Sequence, residues 1–344
     1  MYKGFPSSSF RRSGDGLSLE ILEEKLPSSL QSQEVLIRIR AVSLNYRDVA
    51  MMNGKYPISV KERGIPASDC AAEVVAVGSE VGDFEVGDYV APIFDLYSLT
   101  GTEEQMAALG GHVDRVLRQF AIFEQRVLVH LPKHLSPEEA ACIPCAGTTA
   151  WTALGMPRSS GTALLQGTGG VSMFALLICL AAGIHPIITS SSHEKLEKVQ
   201  SLGGSRNIDT INYRSHPRWE EEALRLTNGR GVDLVVENVG PTAIAQSLAS
   251  LARRGTVSLV GFLGGIKADR FPDTILPTLQ KSLTIRGIAV GSKIDQQNLC
   301  DFLTEKKVSL KPILDDVVFA FEESQAAFDH LFAAKHMGKI IIRI

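Results

Sequence analysis

The segment from about residue 162 to about residue 260 constrains the fold more than any other part of the chain. Short apolar stretches such as TALLQ, HPIIT and VDLVVEN alternate there with helical stretches, and the turn LLQGTGGVS joins the first strand to the first helix. Continuous apolar strands separated by helices indicate a parallel sheet covered on both faces. The segment therefore predicts an α/β fold with a doubly wound parallel sheet.

The glycine-rich turn predicts a dinucleotide site. Gly167, Gly169 and Gly170 lie directly between a strand and a helix, where a pyrophosphate needs close backbone approach and a free helix N-terminus. Ser172 occupies the third glycine position of G-x-G-x-x-G, so the prediction depends on the surrounding βαβ pattern as well. The full predicted contact segment is Gly167, Thr168, Gly169, Gly170 and Val171.

The end of the second strand favours NADPH over NADH. An NAD site usually has an Asp or Glu about twenty residues after the glycines. This chain instead has Ser190, Ser191 and Ser192, with Lys195 one helical turn later. Hydroxyl groups beside a cation suit a ribose 2′-phosphate. The alternative is a serine-rich helix cap beside a solvated lysine.

Composition excludes several protein classes. A chain of 344 residues is expected to form two domains, and a net charge of -3 argues against a dedicated nucleic-acid binder. Five cysteines are an odd and sparse set, which indicates a reducing compartment rather than a disulfide scaffold. The N-terminal stretch lacks the apolar core of a secretory signal, and the apolar run MFALLICLAAGIHPII is too short to cross a membrane. We expect a cytoplasmic protein with no membrane or nucleic-acid partner.

The first part of the chain predicts a β-rich module. EVLIRIRAVSL alternates polar and apolar residues, which places Val35, Ile37 and Ile39 on one face of a half-buried strand. Ser136, followed by Pro137 and Glu139, predicts a helix N-terminus where the alternation of strands and helices begins. The C-terminal GKIIIRI is an apolar strand that could return to the first module.

Nine stretches resemble, in order, those of a known family. They are SLNYRD, GSEVGDFEVGDYV, CAGTTAWTAL, LLQGTGGVS, TSSSHEKL, INYRSHPRW, GRGVDLVVENVG, LVGFLGG and IRGIAVGS. Together they resemble the medium-chain dehydrogenase/reductase superfamily, in its zinc-independent branch of quinone-oxidoreductase-like and NAD(P)-dependent alcohol dehydrogenase-like proteins. The resemblance implies a GroES-like β-barrel catalytic domain from residues 1–135 and 295–344, and a Rossmann NADPH-binding domain from residues 136–294. It also implies an active site in the cleft between the domains, and a homodimer formed through the Rossmann sheet edge at SLTIRGIAV.

The resemblance also implies roles for individual residues. In NADPH-dependent relatives the 2′-phosphate is held by a Ser or Thr, a Lys and a Tyr, whose positions match Ser192, Lys195 and Tyr213. For Tyr213 the alternative is a half-buried tyrosine at a strand end. The residues that match stretches contacting the ribose and nicotinamide are Asn238, Gly261, Phe262, Leu263, Val290 and Gly291.

The zinc-ligand positions of the superfamily are mostly lost. Zinc alcohol dehydrogenases hold catalytic zinc with a Cys, a His–Glu pair and a second Cys, which match Asn45, Ser68–Asp69 and Cys145. One strong ligand cannot form the three-ligand site that catalytic zinc needs, so we expect no metal. The pair Cys142 and Cys145 could by itself hold zinc, run redox chemistry or fill a core. Cys142 lies in an Ala-rich helical stretch and is most simply a small buried residue, whereas the resemblance makes Cys145 a former ligand position.

The missing metal predicts the type of reaction. Without a Lewis acid, oxidation of an unactivated alcohol is difficult, whereas hydride addition to an enone or quinone needs only a hydrogen bond and a proton. We therefore expect an NADPH-dependent reductase of such acceptors, acting on a small organic molecule. The alternatives are a metal-free alcohol or carbonyl oxidoreductase and a non-catalytic NADPH-binding protein.

Three side chains are candidates for contact with the acceptor. Tyr46 is the first candidate hydrogen-bond donor, Asn45 could orient a carbonyl group, and Tyr56 is a second phenol. The competing interpretation of NYRD is a strand-to-helix cap in which Asp48 binds backbone amides, and water can also supply the proton.

Overall fold

The chain folds into two compact units in the computed structural model, which describes residues 6–14, 18–57, 60–114, 116–204, 206–265 and 272–344. The first unit comprises Met1–Thr148 and Gly291–Ile344, and the second comprises Thr149–Val290. Residues 136–148, which the sequence interpretation grouped with the second domain, lie in the first unit. There the Glu139 carboxylate accepts hydrogen bonds from the Ser309 hydroxyl at 2.9 Å and from the Leu310 N–H at 2.8 Å.

The elements of regular structure follow one another along the chain. The strands are β1 Pro6–Arg12, β2 Leu19–Lys25, β3 Glu34–Ser43, β4 Asp69–Val77, β5 Tyr89–Pro92, β6 Phe120–Glu124, β7 Leu128–His130, β8 Thr162–Gln166, β9 His185–Ser190, β10 Asp209–Asn212, β11 Val232–Glu237, β12 Leu251–Leu259, β13 Thr284–Gly287, β14 Leu314–Ala320 and β15 Lys339–Arg343. The α-helices are α1 Tyr46–Met52, α2 Pro137–Ala140, α3 Thr148–Leu154, α4 Gly170–Ala182, α5 His193–Ser201, α6 Trp219–Leu226, α7 Ile244–Ser250, α8 Ile275–Lys281, α9 Lys293–Lys306 and α10 Ser324–Phe332.

The first unit is built on a mostly antiparallel sheet with the order β14-β15-β3-β4-β5-β7, in which β6 also pairs with β3. The C-terminal strand β15 pairs with β3, with Ile342 opposite Val42, so the end of the chain returns to the first module as predicted. Val35, Ile37 and Ile39 are buried and Arg38 is exposed, as the predicted alternation requires, but Leu36 is fully buried as well. A register shift between Leu36 and Ile37 breaks the simple alternation, and other strands pair along both edges of β3.

The second unit is a parallel six-stranded sheet within the described residues, with the order β10-β9-β8-β11-β12-β13. Numbered within the unit this is the order 3-2-1-4-5-6, which is the Rossmann topology, so the predicted α/β fold is confirmed. The order reverses between β8 and β11. Ligands of such sheets bind outside the carboxyl ends of the strands at this reversal, which here is the edge reached by Gln166 and Glu237.

The helix α4 is the most apolar part of the second unit. It runs from Gly170 to Ala182, and most of its side chains, including Phe174 and Leu176, are fully buried. In the part of the chain that the structure describes, no helix has both the length and the apolar character that crossing a membrane requires.

Candidate functional site

The turn between β8 and α4 leaves open space above its backbone. Gly167 has φ +79°, which favours glycine, and Gly169 has φ -81° and ψ 178°, which any residue adopts. A Cβ atom added to either glycine would meet no atom within 4 Å. No side chain caps the start of α4, so the N–H groups of its first turn are available to an anion. These features fit a dinucleotide pyrophosphate.

Ser172 replaces the third glycine of the motif with a hydrogen-bonded contact. Its buried hydroxyl donates to the Gln166 carbonyl oxygen at 2.7 Å and accepts from the Asn238 side-chain amide at 3.0 Å. The first turn of α4 is thereby joined to the ends of both β8 and β11. The imperfect sequence motif thus corresponds to an ordered turn.

A fully buried carboxylate, Glu237, organises the same edge of the sheet. It accepts from the Gln166 side-chain amide at 2.8 Å, from the N–H groups of Val239 and Gly240 at 2.8 and 2.9 Å, and from the Ser247 hydroxyl. Gln166 in turn accepts from the Asn238 N–H at 3.0 Å. Sequence reasoning missed Glu237. The visible signal was its position as an acid at the last residue of the apolar strand VDLVVE.

The serine cluster at the end of β9 acts as a helix cap. The Ser192 hydroxyl accepts from the Lys195 N–H at 3.3 Å, and the Ser190 hydroxyl accepts from the Ser192 N–H at 3.2 Å. The capping alternative from the sequence is therefore present in the structure. It uses only lone pairs on these oxygens, so each O–H can still donate to a phosphate. Capping and phosphate binding are compatible.

Tyr213 lies beside the serine cluster. Strand β10 runs parallel to β9 with Asn212 opposite Ser190, and the Tyr213 N–H donates to the Ser190 carbonyl oxygen at 3.1 Å. The Tyr213 side chain is 42% exposed. Lys195 lies in the first turn of α5, so Ser192, Lys195 and Tyr213 all belong to segments that meet at the carboxyl edge of these two strands.

The remaining predicted cofactor residues follow the neighbouring strands of the same unit. The loop after β12 is tied to the loop after β11, because the Leu263 N–H donates to the Asn238 carbonyl oxygen at 3.0 Å. A Cβ atom on Gly261 would lie 3.0 Å from that same oxygen. Phe262 is partly buried in this loop. Val290 ends the unit at φ +63°, and its carbonyl oxygen accepts from the Thr152 hydroxyl at 2.5 Å. Gly291 begins the next segment of the first unit.

The first unit contains a buried polar cluster at Asn45. The ammonium of Lys339 donates to the Asn45 amide oxygen at 2.6 Å and lies 3.5 Å from the Asp69 carboxylate. The Asn45 amide nitrogen lies 3.4 Å from the Ser68 hydroxyl, which donates to Asp69 at 2.7 Å. Asp48 accepts from the Asn45 backbone N–H at 2.7 Å, and burial raises the pKa of this carboxyl group. We call Asn45, Ser68, Asp69 and Lys339 the Asn45 cluster.

Tyr46 and Tyr56 have different surroundings. Tyr46 is 47% exposed at the start of α1, and its hydroxyl has no recorded hydrogen bond within the described ranges. The Tyr56 hydroxyl lies 3.5 Å from Nε of Arg47. The buried Arg47 guanidinium lies over the rings of Phe94 and Tyr56, at 4.8 and 5.4 Å from the ring centroids. A neighbouring cation therefore fixes Tyr56, whereas Tyr46 is open to solvent.

The two cysteines of CIPC lie in different local structures. Cys145 lies in a π-helical turn, Ile143–Gly147, and Cys142 directly precedes it. The Cys142 thiol donates to the Glu138 carbonyl oxygen at 3.5 Å, and burial raises its pKa to about 12. Burial also raises the pKa of Cys145, and both thiols are free.

The residues at the predicted zinc positions do not fit a catalytic zinc ion. The Asn45 oxygen already accepts from an ammonium group, and a second cation there would be repelled. Of the side chains at these positions only Cys145 is a strong zinc ligand, whereas a catalytic zinc ion takes three ligands from the protein. No cluster of three or more His, Cys, Asp or Glu side chains suited to a metal occurs among the described residues.

Sequence reasoning missed Lys339. Its side chain is only 2% exposed, although lysine is almost never fully buried unless paired. The partner Asn45 is 294 positions away in the sequence, so no local pattern reveals the contact. The only signal was a lysine at the start of the apolar strand KIIIR.

Two family descriptions match the chain. Residues 31–133 match the alcohol dehydrogenase GroES-like domain, and residues 170–305 match the zinc-binding dehydrogenase family. The GroES-like domain predicted for the first part of the chain is thereby confirmed.

Individual relatives match over nearly the whole chain. A zinc-type alcohol dehydrogenase-like protein of Schizosaccharomyces pombe is 38% identical, with 94% of each chain covered. The crystal structure of a candidate alcohol dehydrogenase from Sinorhizobium meliloti 1021 has a TM-score of 0.88 and 32% identity, with 100% of both chains covered. A quinone oxidoreductase from Pseudomonas syringae pv. Tomato DC3000 has a TM-score of 0.76 and 26% identity, covering 98% of this chain and 100% of that one.

Proposed function

Because the chain belongs to the medium-chain dehydrogenase/reductase superfamily, as an NAD(P)-dependent oxidoreductase of the zinc-type alcohol dehydrogenase-like family, we propose that it is an NADPH-dependent reductase. It transfers hydride to an activated acceptor, an α,β-unsaturated carbonyl compound or a quinone, without a metal. The observation that carries this proposal is the Asn45 cluster. At positions that match zinc ligands it contains the amide of Asn45 and the hydroxyl group of Ser68, and the buried ammonium of Lys339 donates to that amide.

The proposed NADPH site is the carboxyl edge of the second unit. Its pyrophosphate is assigned to the open turn at Gly167 and Gly169 and the uncapped start of α4. Its 2′-phosphate is assigned to Ser192, Lys195 and Tyr213. The strand tip at residues 190–192 carries no carboxylate that would repel this phosphate. When bound, NADPH supplies the hydride.

The proposed acceptor site is the exposed side of the Asn45 cluster. Hydride addition to an enone or quinone builds negative charge on a carbonyl oxygen, and a hydrogen-bond donor stabilises that charge. The Asn45 amide and the Tyr46 hydroxyl are the assigned donors, and Tyr56 is a third candidate. Asp48 holds the start of α1 through the Asn45 N–H, so its part is structural. The proton can come from Tyr46 or from water.

The experiment is an acceptor screen with purified protein. NADPH oxidation is followed at 340 nm with a panel of enones and quinones, with and without a chelator. We expect turnover that is unchanged by the chelator. Absence of turnover above background for every acceptor would refute the reductase proposal. Tight NADPH binding with no turnover on any acceptor would instead favour a non-catalytic NADPH-binding protein.

The cofactor preference has its own test in Lys195→Ala. Loss of one charge-assisted contact to the 2′-phosphate costs about 1.5–3 kcal/mol. NADPH affinity should therefore fall about 10- to 150-fold, while NADH affinity stays nearly constant. A Lys195→Ala protein that still prefers NADPH as strongly as the wild type would show that the phosphate assignment is wrong.

A second candidate function is a metal-free alcohol or carbonyl oxidoreductase. It is favoured by the names of relatives, several of which are alcohol dehydrogenases. It predicts turnover of simple alcohols or aldehydes that a chelator does not inhibit. Saturated aldehydes with NADPH and simple alcohols with NADP+ are added to the screen to separate the two candidates, because an enone reductase leaves these compounds unchanged.

We also propose a homodimer formed through the edge of the parallel sheet. β13 ends the strand order, and its side chains are largely exposed. The neighbouring helix α8 exposes Ile275, Leu276 and Leu279 to solvent. A bare edge strand favours pairing with another chain, and a second copy would cover the exposed apolar side chains of α8.

A further inference from the structure

Lys339 is a buried charge with few partners. Its side chain is 2% exposed, and its recorded contacts are the Asn45 amide oxygen at 2.6 Å and the fully buried Asp69 carboxylate at 3.5 Å. Burying an ammonium and a carboxylate costs several kcal/mol per ion before their attraction is counted. Replacing both members of such a pair with apolar side chains of similar volume is often neutral or stabilising. Core stability alone therefore does not account for a lysine here.

The backbone places this lysine in a defined position. Gly338 has φ +71°, and a Cβ atom there would lie 1.9 Å from the Ile313 carbonyl oxygen. Only glycine fits at this close approach, and β15 starts at the next residue, with Lys339 opposite Leu314 in the sheet. The direction from which Lys339 reaches Asn45 is set by the sheet.

The contact with Lys339 determines the orientation of the Asn45 amide. Asn45 occupies the N-cap position of α1, but its side chain makes no cap hydrogen bond. An ammonium group only donates, so the atom that faces Lys339 must be the amide oxygen. The amide NH2 then faces away from Lys339. One of its N–H groups can use the Ser68 hydroxyl at 3.4 Å, and the other has no recorded partner within the described ranges.

We propose that Lys339 is a positioning residue of the acceptor site. Its ammonium locks the Asn45 side chain in the rotamer and flip state that presents an amide N–H to the acceptor carbonyl oxygen. The positive charge of the ammonium beside the amide oxygen also polarises the amide and strengthens the N–H donors at its other end. This inference rests on the proposed function, because it assigns Asn45 to the same acceptor.

The decisive variant is Asn45→Asp. It keeps an oxygen for Lys339 and so keeps the buried contact, but it removes the N–H donor. We expect a thermal midpoint no lower than that of the wild type, a kcat about 100-fold lower with a responsive enone, and unchanged NADPH affinity. Asn45→Ala should give a similar loss of kcat.

Lys339 itself is tested in two forms, because Lys339→Met leaves Asp69 buried without its cation and can impair folding. The second form combines Lys339→Met with Asp69→Asn, which removes both charges and keeps both volumes. We expect about a tenfold loss of kcat when the double variant is made in the wild type, and almost no further loss when it is made in the Asn45→Ala protein. Lys281→Met is the matched control in the other unit. The Lys281 ammonium donates to two backbone carbonyl oxygens, at 2.7 and 2.8 Å, and the loss of these contacts should leave kcat unchanged.

A second readout does not depend on turnover. Cyclohexanone is titrated by calorimetry into the protein saturated with NADP+, which cannot donate hydride. We expect binding about tenfold weaker in Asn45→Asp and in the charge-free double variant.

The outcomes separate the inference from the proposed function. Full activity and full ketone binding in Asn45→Asp would overturn the inference while the reductase function stands. If the charge-free double variant lowers kcat by the same factor in the wild type and in the Asn45→Ala protein, Lys339 acts only on structure. A wild-type protein that binds the ketone through Asn45 but reduces no acceptor would support the inference and refute the function. If it neither binds the ketone nor reduces any acceptor, both are overturned.

Discussion

Replacement of Gly169 by alanine tests whether the turn between β8 and α4 binds the cofactor or is an ordinary turn. The backbone at Gly169, with φ -81° and ψ 178°, is accessible to any residue, and an added Cβ would meet no protein atom within 4 Å. The folded protein should therefore accept the methyl group without strain. Gly to Ala at such a site stabilises proteins by about 0.4–1 kcal/mol, because the unfolded chain loses freedom.

The same methyl group should impair NADPH binding. In a dinucleotide motif the second glycine lets the backbone approach the pyrophosphate closely, and the added Cβ would occupy that space. Loss of one backbone hydrogen bond to a charged phosphate costs about 1.5–3 kcal/mol. Since about 1.36 kcal/mol is a factor of ten, Gly169→Ala should weaken NADPH binding about 10- to 150-fold.

The assay combines thermal unfolding with fluorescence titration of NADPH. Gly82→Ala is the matched control, because Gly82 also has open space at its Cβ position and no positive φ. We expect the two variants to unfold at similar temperatures and only Gly169→Ala to lose affinity. If Gly169→Ala binds NADPH as tightly as the wild type, the turn is not the pyrophosphate site.

Three further predictions test other parts of the molecule. Glu237→Ala should lower the free energy of unfolding, measured by urea titration, by about 3 kcal/mol or more, because it leaves several buried donors unpaired. Glu237→Gln should lower it by less. Equal stability of the wild type and Glu237→Ala would contradict this prediction. The buried thiols should resist iodoacetamide at pH 8 in the native protein and react once it is unfolded, since a pKa of about 12 leaves Cys142 with a thiolate fraction on the order of 10⁻⁴. The raised folded pKa also means that this thiol stabilises the fold below its ordinary pKa, and that this contribution is lost as the pH rises through the folded value, so stability should fall at alkaline pH. Leu279→Asp should halve the mass measured by light scattering and leave NADPH affinity unchanged, and a wild type with the mass of one chain would refute the proposed dimer.

The fold of the second unit follows from patterns that act over short distances. The central strands β8, β9 and β11 are largely apolar and buried, so they must be covered on both faces, and the helices between the strands supply the cover. Ser136 and Glu139 form the helix-capping pair that their spacing predicts, because three residues separate a cap from the N–H group it binds. The register shift in β3 has no such local signal, because it depends on which strands pair along both of its edges.

The candidate cofactor turn could be found from sequence, but the groups that hold it could not. The glycines are visible because backbone approach requires them at fixed spacing. Glu237 and Ser247 are joined by tertiary contacts, and their side chains take part only because the ends of β8 and β11 meet. The serines at the end of β9 illustrate a different difficulty. Capping and phosphate binding select the same residue types, so the sequence alone cannot distinguish them, and the structure has the caps in place.

The buried carboxylate of Asp69 needs a counter-charge that the sequence does not reveal. Asp69 is fully buried, and a buried carboxylate needs a cation or hydrogen-bond donors. The counter-charge near Asp69 comes from Lys339, which lies on β15. A lysine differs from a metal ion in one respect that matters for catalysis. It cannot bind the acceptor oxygen as a Lewis acid from its buried position, but it can fix the amide of Asn45 as a hydrogen-bond donor. Such a donor is sufficient for an acceptor that is already polarised, and it is insufficient for lowering the pKa of a simple alcohol. The acceptor screen and the Asn45 variants therefore test one physical claim, that a fixed amide donor restricts this protein to activated acceptors.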